Sequence, residues 1–234
     1  MTHDFEAPDD ADSLYRARGD EVAEYRPYLT GDVFEKVPVR TADGTVKRKN
    51  VILLMHPCAM RSNGVDLVSL LHVAEVRQHK LLEPEKWSGH FNLMPLPNLY
   101  PTFTSGRRHQ AAFFDQFYLV PPTDLGSRIA CLSPFGVNLL LQRYVHHCSR
   151  VVVPTVTYNE NNRNVYEEAD IVEEWCEERC SAGSAIDKAA GECMAFLRED
   201  PGSGRTRQEM LKDPQSVSTV RKQMRTMLKQ LNWQ

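Results

Sequence analysis

The stretch from Gly31 to Val39 alternates apolar and polar residues, which is the pattern of a strand with one buried face. An Asp43-Gly44 pair follows, and this pair favours the tight turn of a β-hairpin. The next apolar stretch, Lys49 to Met55, holds a continuous apolar run from Val51 onward. The pattern therefore predicts a hairpin whose second strand is buried on both faces.

More short strands are predicted downstream, at Phe91–Leu96, Phe113–Val120 and Ser127–Ser133. The stretch from Asp66 to Val76 fits either a helix or a strand. Closely spaced strands that are joined mostly by hairpins are typical of a small β-barrel and not of a doubly wound sheet. The first part of the chain is therefore predicted to form such a barrel.

From Pro134 onward the apolar residues take a helical spacing. A polar loop is predicted over 157–164, and the stretch 201–204 (Pro-Gly-Ser-Gly) is predicted to be a flexible break. Beyond the break, apolar residues from Val217 to Leu231 form a stripe flanked by basic residues. Three earlier helices are predicted, at Pro134–Arg150, Tyr166–Ser181 and Ala185–Arg198.

The predicted fold class is α+β, with a small β-barrel followed by C-terminal helices. Residues 1–24 are acidic and poor in large apolar side chains, which predicts a flexible arm. The barrel domain with its closing helix is placed at 25–150 and a helical extension at 151–200. A linker and a basic amphipathic tail helix are placed at 201–234.

Composition narrows the possible functions of the 234 residues. A net charge of −3 excludes general attraction to nucleic acid, so any such binding needs a local basic patch. No apolar run has the length of a membrane span, and the first residues lack the features of a signal peptide. The six cysteines are scattered along the chain, which favours reduced thiols. The sequence thus predicts a cytoplasmic protein that does not bind a membrane.

Short motifs occur in a distinctive order between residues 30 and 150. Gly31-Asp32-Val33 opens a strand, the hairpin follows, and Arg48-Lys49-Asn50 precedes an apolar run. Asp115-Gln116 and Arg128-Ile129 come later. This order resembles the PemK/MazF-like group, whose members have a small SH3-like barrel and whose toxin members cut RNA. The resemblance implies an SH3-like barrel and a toxin–antitoxin or antiviral defence setting.

A variant of that group, in which an apolar strand leads into a Cys-containing turn, is similar at Met55-His56-Pro57-Cys58. Because such variants are associated with gene neighbourhoods for bacterial defence and restriction, the resemblance implies a defence setting. Toxin members of the group also carry a hydroxyl residue after the third strand. The matching stretch here, Ala74-Glu75-Val76, has none, and this departure favours a non-catalytic role.

Metal-independent RNA cleavage needs a base, an acid and a cation for the phosphorane charge. The candidate cations are Arg48, Arg61 and Arg128, and His56 and Glu75 are candidate acid–base groups. Arg128 and Arg48 are predicted to steady phosphate while His56 carries the proton. The alternative is that Arg128 forms an ion pair and His56 forms hydrogen bonds at a strand end.

Cysteine chemistry is a weaker prediction. Cys58 could pair with His56 as a nucleophile, but proline between them opposes the geometry and favours a small buried side chain. Cys176 and Cys180 share a helix face and could bind zinc, but both fall on an apolar stripe that must pack anyway. The sequence therefore predicts neither a metal site nor a cofactor.

The tail helix admits several interpretations. Arg221, Lys222 and Arg225 could contact phosphates, as Arg61 could in the barrel. They could instead face the acidic helix around 167–178, or the stripe Val217–Leu231 could bind a partner protein or a second copy.

The leading hypothesis is a nucleic-acid-binding protein of a bacterial defence or toxin–antitoxin type system. Its partner would be single-stranded RNA or another nucleic acid, and endoribonuclease activity would be its reaction if it is an enzyme. The alternative is a non-catalytic protein-interaction subunit of a defence or phage-related complex. A basic surface that gathers the three arginines would favour the first hypothesis.

Overall fold

The computed structural model describes residues 5–62, 66–100 and 108–232. The chain divides into two compact units, the first comprising Met1–Val22 and Tyr28–Asn159. The second comprises Ala23–Pro27 and Glu160–Gln234. The first unit contains all of the described strands, and the second is built from helices. This division differs from the predicted boundaries at 150 and 200.

The strands of the first unit are antiparallel. Seven of the described strands form one sheet in the order β1-β9-β2-β3-β6-β8-β7, and β4 pairs with β5. The strands are β1 (Tyr15–Arg18), β2 (Asp32–Arg40), β3 (Val46–Leu53), β4 (Arg61–Ser62), β5 (Asp66–Leu67), β6 (Leu71–Lys80), β7 (Leu93–Leu96), β8 (Arg108–Val120) and β9 (Arg128–Leu132).

The α+β class is confirmed, but the sheet is not closed into the barrel that the strand spacing predicted. In the described part of the chain, β1 and β7 lie at its two edges and do not pair with each other. The sheet nevertheless curls, because Cα atoms of β2 and β8 come within 8 Å although these strands are three places apart in the order. Strands in a flat sheet would be about 14 Å apart at that separation.

The curled face encloses an apolar cluster, because alternate residues of the central strands point into it. The predicted hairpin is confirmed at its centre, where Val46 pairs with Arg40 and Gly44 takes a φ of 81°. The stretch 66–76, which the sequence left open, forms β5 and most of β6 and is therefore not helical. The cluster consists of Phe34, Val37, Val39, Val51, Leu53, Met60, Leu71, Val73 and Val120.

The flexible arm predicted over residues 1–24 begins outside the described residues, and from residue 5 onward the structure differs from the prediction. β1 pairs with β9, the Leu14 side chain is fully buried, and the Tyr15 hydroxyl donates to the carbonyl of Pro97 at 2.7 Å. Acidic composition misled the prediction, because a few large side chains are enough to fix a short segment to a sheet edge.

A close backbone approach joins β2 to the loop before β9. A Cβ atom added to Gly126 would lie 2.2 Å from the carbonyl oxygen of Glu35. We expect Gly126→Ala to lower the free energy of unfolding by about 1–3 kcal/mol, because the backbone of β2 must move. Gly191→Ala is the matched control, since Gly191 is helical and has open space around it. Chemical denaturation should show little change or a gain for Gly191→Ala; equal losses for both variants would contradict the packing argument.

The helices are α1 (Pro57–Met60), α2 (Pro134–Ser149), α3 (Thr155–Ser181), α4 (Ile186–Arg198), α5 (Arg207–Met210) and α6 (Pro214–Asn232). Two of the predicted helices are confirmed to within one residue at each end, as α2 and α4, and the third is confirmed as α3 but begins at Thr155 instead of Tyr166. The polar loop predicted over 157–164 is wrong, because α3 runs through it. Asparagine costs only a fraction of a kcal/mol in a helix, so tertiary context overrides its preference for loops. Among the described residues, none of the helices has the length and apolar content to cross a bilayer.

The second unit has its own core, in which the stripe of α6 is buried. Val220, Met224 and Leu228 pack with residues of α3 and α4 around Trp175. The break predicted at 201–204 is ordered by Asp200, whose carboxylate accepts backbone N–H groups of residues 202 to 204. The buried residues of the stripe therefore pack within their own unit, and this packing does not support the protein partner or homodimer predicted through Val217–Leu231.

Candidate functional site

A buried carboxylate lies at the centre of the curled sheet of the first unit. Glu75 has a side chain that is 4% exposed. Its Oε1 accepts from Lys49 Nζ at 2.9 Å, and its Oε2 accepts from the Tyr118 hydroxyl at 3.0 Å. Arg77 Nη1 lies 3.8 Å from the same Oε2. We call Lys49, Glu75, Arg77, Asp115 and Tyr118 the carboxylate cluster.

Three adjacent strands bring these side chains together. Lys49 comes from β3, Glu75 and Arg77 from β6, and Asp115 and Tyr118 from β8. The pairing of β6 with β8 is interrupted at Glu75, because Ala74 lies opposite Phe117 whereas Glu75 lies opposite Phe113. The extra residues of β8 form a bulge that contains Asp115. Bulges often re-aim side chains next to functional sites.

Arg77 is held from two sides. Its guanidinium lies 3.8 Å above the ring of Phe113, and Nη2 lies 3.5 Å from Asp115. About a third of the Lys49 and Arg77 side chains is exposed, whereas Glu75 is covered. The cluster therefore offers two cations to solvent above a carboxylate that they hold in place.

Tyr118 is a hydrogen-bond donor at neutral pH. Burial, and then the hydrogen bond to Glu75, raises the pKa of Tyr118 to about 12. The phenol thus keeps its proton over the physiological range. A carboxylate and a phenol that share a hydrogen bond can pass a proton between them, which is the basis of acid–base chemistry.

Arg128, the first predicted catalytic residue, forms a buried ion pair. Its Nη1 donates to Asp32 Oδ2 at 2.9 Å, and the two side chains are 8% and 2% exposed. The same Oδ2 accepts the backbone N–H of Leu29 at 3.1 Å. This geometry agrees with the alternative that the sequence left open, in which Arg128 pairs with an acid.

Arg61 and Arg128 both contact Tyr28, and His56 caps a short helix. Arg61 Nη2 donates to the carbonyl of Tyr28 at 2.9 Å, and the guanidinium of Arg128 lies 5.4 Å from the ring of Tyr28. His56 precedes α1, and its Nδ1 accepts the backbone N–H of Cys58 at 3.2 Å. His56 therefore caps a single helical turn, as the alternative of a hydrogen-bonded strand end anticipates.

Arg48 is separate from these residues. Arg48 pairs with Pro38 of β2. The neighbours of Pro38 in β2, Val37 and Val39, have their side chains in the core. Alternation along β3 places Arg48 on the face opposite its neighbour Lys49. Its Nη1 donates to the carbonyl of Lys36 at 3.0 Å. The three arginines predicted from the sequence therefore do not converge on one surface.

The basic residues of the tail helix face acids of the second unit. Arg221 contacts Glu167 at 2.8 Å and Glu174 at 3.3 Å, and Arg225 contacts Glu174 at 3.1 Å. Lys222 is exposed on the same helix. Two of the three phosphate ligands predicted on the tail helix thus form ion pairs with the acidic helix, which is one of the interpretations that the sequence allowed.

All six cysteines are free thiols, and Cys176 and Cys193 lie in the core of the second unit. Burial raises the pKa of Cys176 to about 11. Within residues 5–62, 66–100 and 108–232, no group of three or more His, Cys, Asp and Glu side chains is arranged to hold a metal ion. Cys58 is exposed, contrary to the buried position that its short side chain suggested.

Sequence reasoning singled out Glu75 but missed the residues around it. Glu75 and Arg77 are two residues apart, a spacing that puts both on one face of a strand, but the sequence left the stretch 66–76 open between helix and strand. The register between β3, β6 and β8 and the bulge at Asp115 are set by pairings that no local pattern in the sequence indicates.

No known family profile matches this chain, and no curated protein shows significant similarity to it.

Proposed function

We propose that the first unit is a PemK/MazF-like, nucleic-acid-binding protein of a bacterial defence or toxin–antitoxin system, and that its reaction is metal-independent cleavage of single-stranded RNA. The observation that carries this proposal is Glu75, a buried carboxylate held by Lys49, Arg77 and Tyr118. The curl that brings β2 near β8 supports an SH3-like architecture, since barrels of that kind are strongly bent sheets. The order of the short motifs adds to this support.

The carboxylate cluster offers a group for each role that the reaction needs. Glu75 takes the proton of the 2′-hydroxyl, whose oxygen attacks phosphorus while the bond to the 5′-oxygen breaks. Lys49 and Arg77 stabilise the negative charge that develops on the phosphorane. Tyr118 gives its proton to the 5′-oxygen, and the proton on Glu75 then returns to Tyr118 along their 3.0 Å hydrogen bond. The products are a 2′,3′-cyclic phosphate and a free 5′-hydroxyl.

Arg48, Arg128 and His56 take other positions in this proposal. Arg128 stabilises the fold through Asp32, and His56 caps α1. Arg48 is exposed on the face of β3 opposite Lys49. Its Nη1 donates to the carbonyl of Lys36, so the other guanidinium N–H groups would contact nucleic acid away from the carboxylate cluster. The catalytic assignment therefore moves from the predicted arginines to the carboxylate cluster.

A direct assay tests the reaction. Purified protein incubated with single-stranded RNA in EDTA should release fragments that end in 2′,3′-cyclic phosphate, because no step above uses a metal. The measurement is gel analysis of end-labelled RNA, with a DNA oligonucleotide of the same sequence as the control. DNA lacks the 2′-hydroxyl and should stay intact. If the protein binds RNA without cutting it, only a binding function remains. Cleavage of the DNA oligonucleotide as well as the RNA would contradict the mechanism.

A non-catalytic protein-interaction subunit of a defence or phage-related complex is the second candidate. It is favoured by Phe117 and Leu119, which are 36% and 63% exposed on the face of β8 opposite Tyr118. The ring of Phe117 packs on His72 and Tyr144, so the position of this exposed ring is fixed. Absence of both RNA binding and RNA cleavage would favour this second candidate.

A further inference from the structure

The N-terminal segment of the first unit occupies a socket that recognises every polar group of one residue. The backbone N–H of Glu6 donates to Gln142 Oε1 at 3.0 Å, and its carbonyl accepts from Arg143 Nη2 at 2.6 Å. The Glu6 carboxylate accepts from Gln142 Nε2 at 3.1 Å and from the backbone N–H of Thr155 at 3.1 Å. The Thr155 hydroxyl donates to the second carboxylate oxygen. Burial alone would raise the pKa of Glu6, but the hydrogen bonds from Thr155 and Gln142 lower it below its ordinary value.

An aromatic pocket receives the preceding residue. Phe5 is 8% exposed, and its ring meets that of His146 edge-to-face at 4.9 Å. The guanidinium of Arg143 lies 5.4 Å from the Phe5 ring and 5.5 Å from the Trp87 ring. Aromatic rings attract such a cation within about 6 Å. The socket thus binds an aromatic residue followed by glutamate. It consists of Trp87, Gln142, Arg143, His146 and Thr155.

Arg143 is the buried cation of the socket. Its side chain is fully buried, and its guanidinium donates to two carbonyls, those of Glu6 and Leu139. Its Nε is buried without a hydrogen-bond partner among the described residues. Burial lowers the pKa of Arg143 to about 10. Buried guanidinium groups are usually paired with an anion, and the nearby Glu6 carboxylate supplies the negative charge here. The buried cation is therefore matched to a glutamate that enters the socket.

We propose that the socket is a peptide-recognition site whose ligand is an extended segment with an aromatic residue directly before a glutamate, and that Phe5–Glu6 occupies it as an intramolecular competitor. The chemistry of the ligand follows from the contacts above. Pro8 is buried, and the exposed residues Asp9 and Asp10 then connect the segment to β1. Displacement of residues 5–8 would therefore leave the pairing of β1 with β9 in place. This inference goes beyond RNA cleavage and does not depend on it.

Competition within the chain makes the proposal testable. A tethered segment acts at an effective concentration of about millimolar, so the wild-type socket should resist a peptide added in solution. The double variant Phe5→Ala/Glu6→Ala keeps the full chain and leaves every socket residue in place. It should bind a fluorescein-labelled peptide with the sequence of residues 5–12 at least about tenfold more tightly than the wild type does, as measured by fluorescence anisotropy.

Two controls sharpen the result. A peptide with glutamate replaced by glutamine, and one with phenylalanine replaced by alanine, should each bind the double variant at least about tenfold more weakly. Adding Gln142→Leu to the double variant should abolish binding, because two of the peptide's hydrogen bonds depend on that amide. A folded double variant that ignores the peptide, or that binds both control peptides equally, would overturn the proposal and leave Phe5–Glu6 as ordinary packing.

The wild-type chain provides a readout that does not require the double variant to fold. Titration of ¹⁵N-labelled wild-type protein with the unlabelled peptide at millimolar concentration should shift the amide signals of Gln142 and Thr155. The control peptides should not shift them. Glu6→Gln, which keeps the shape of the side chain, should move the midpoint of this titration to lower peptide concentration. Unchanged signals at Thr155 in both proteins would count against the site.

Discussion

Replacing Asp32 by alanine is expected to lower the free energy of unfolding by about 3–5 kcal/mol, the largest stability effect of any single substitution considered for the first unit. The Asp32 carboxylate is 2% exposed and accepts from Arg128 at 2.9 Å. Its removal leaves a buried guanidinium without its anion and the N–H of Leu29 without its acceptor. Urea denaturation followed by circular dichroism gives the measurement.

A double-mutant cycle separates the ion pair from the packing around it. Asp32→Ala combined with Arg128→Met should recover part of the loss, because the pair then leaves no unpaired charge. Lys36→Ala is a surface control, since Lys36 is 72% exposed and its contact with Glu35 should contribute less than about 1 kcal/mol. Strictly additive losses for Asp32 and Arg128 would show that the two side chains do not act as a pair.

Replacing Glu75 by glutamine is expected to reduce RNA cleavage by about 10²–10⁴-fold, the range for removing a positioned base. Glutamine keeps the size of the side chain and can still accept a hydrogen bond, so the substitution tests the proton acceptor with little change of shape. Single-turnover cleavage of RNA in EDTA, with excess protein, measures the chemical step. Thermal denaturation of the variant must show a folded protein, because Lys49 loses its charged partner.

Matched variants distinguish a base from a structural anchor. Asp124→Asn removes an exposed carboxylate outside the cluster and should leave cleavage unchanged. Tyr118→Phe should slow cleavage while the affinity for RNA stays close to that of the wild type, because the phenol acts on the leaving oxygen. A Glu75→Gln protein that cuts RNA within threefold of the wild type would remove Glu75 from the mechanism, whatever the affinity for RNA.

Local sequence patterns indicate single residues of the candidate site but not the residues that surround them in the fold. The sequence offers Glu75 as a candidate acid–base group, in the stretch that matches the place of the toxin members' hydroxyl residue. Its partners Lys49 and Tyr118 are 26 and 43 residues away in sequence, and only the pairing of β3, β6 and β8 brings them to it. The sequence predicts Arg128 as a cation for phosphate. Nothing near Arg128 in the sequence indicates its ion pair with Asp32, which is 96 residues away.

The sequence by itself determined the α+β class, the hairpin at Asp43-Gly44 and three of the helices, because these depend on contacts within a few residues and on the period of apolar side chains. It also indicated the apolar stripe of the tail helix. Tertiary structure alone decided that the sheet curls without closing, that the stripe is buried in the second unit, and which charges pair. Ion pairs and strand registers join residues that are far apart along the chain, and their energies depend on burial that only the folded chain provides. That is why the carboxylate cluster and the socket for Phe5–Glu6 became visible only in three dimensions.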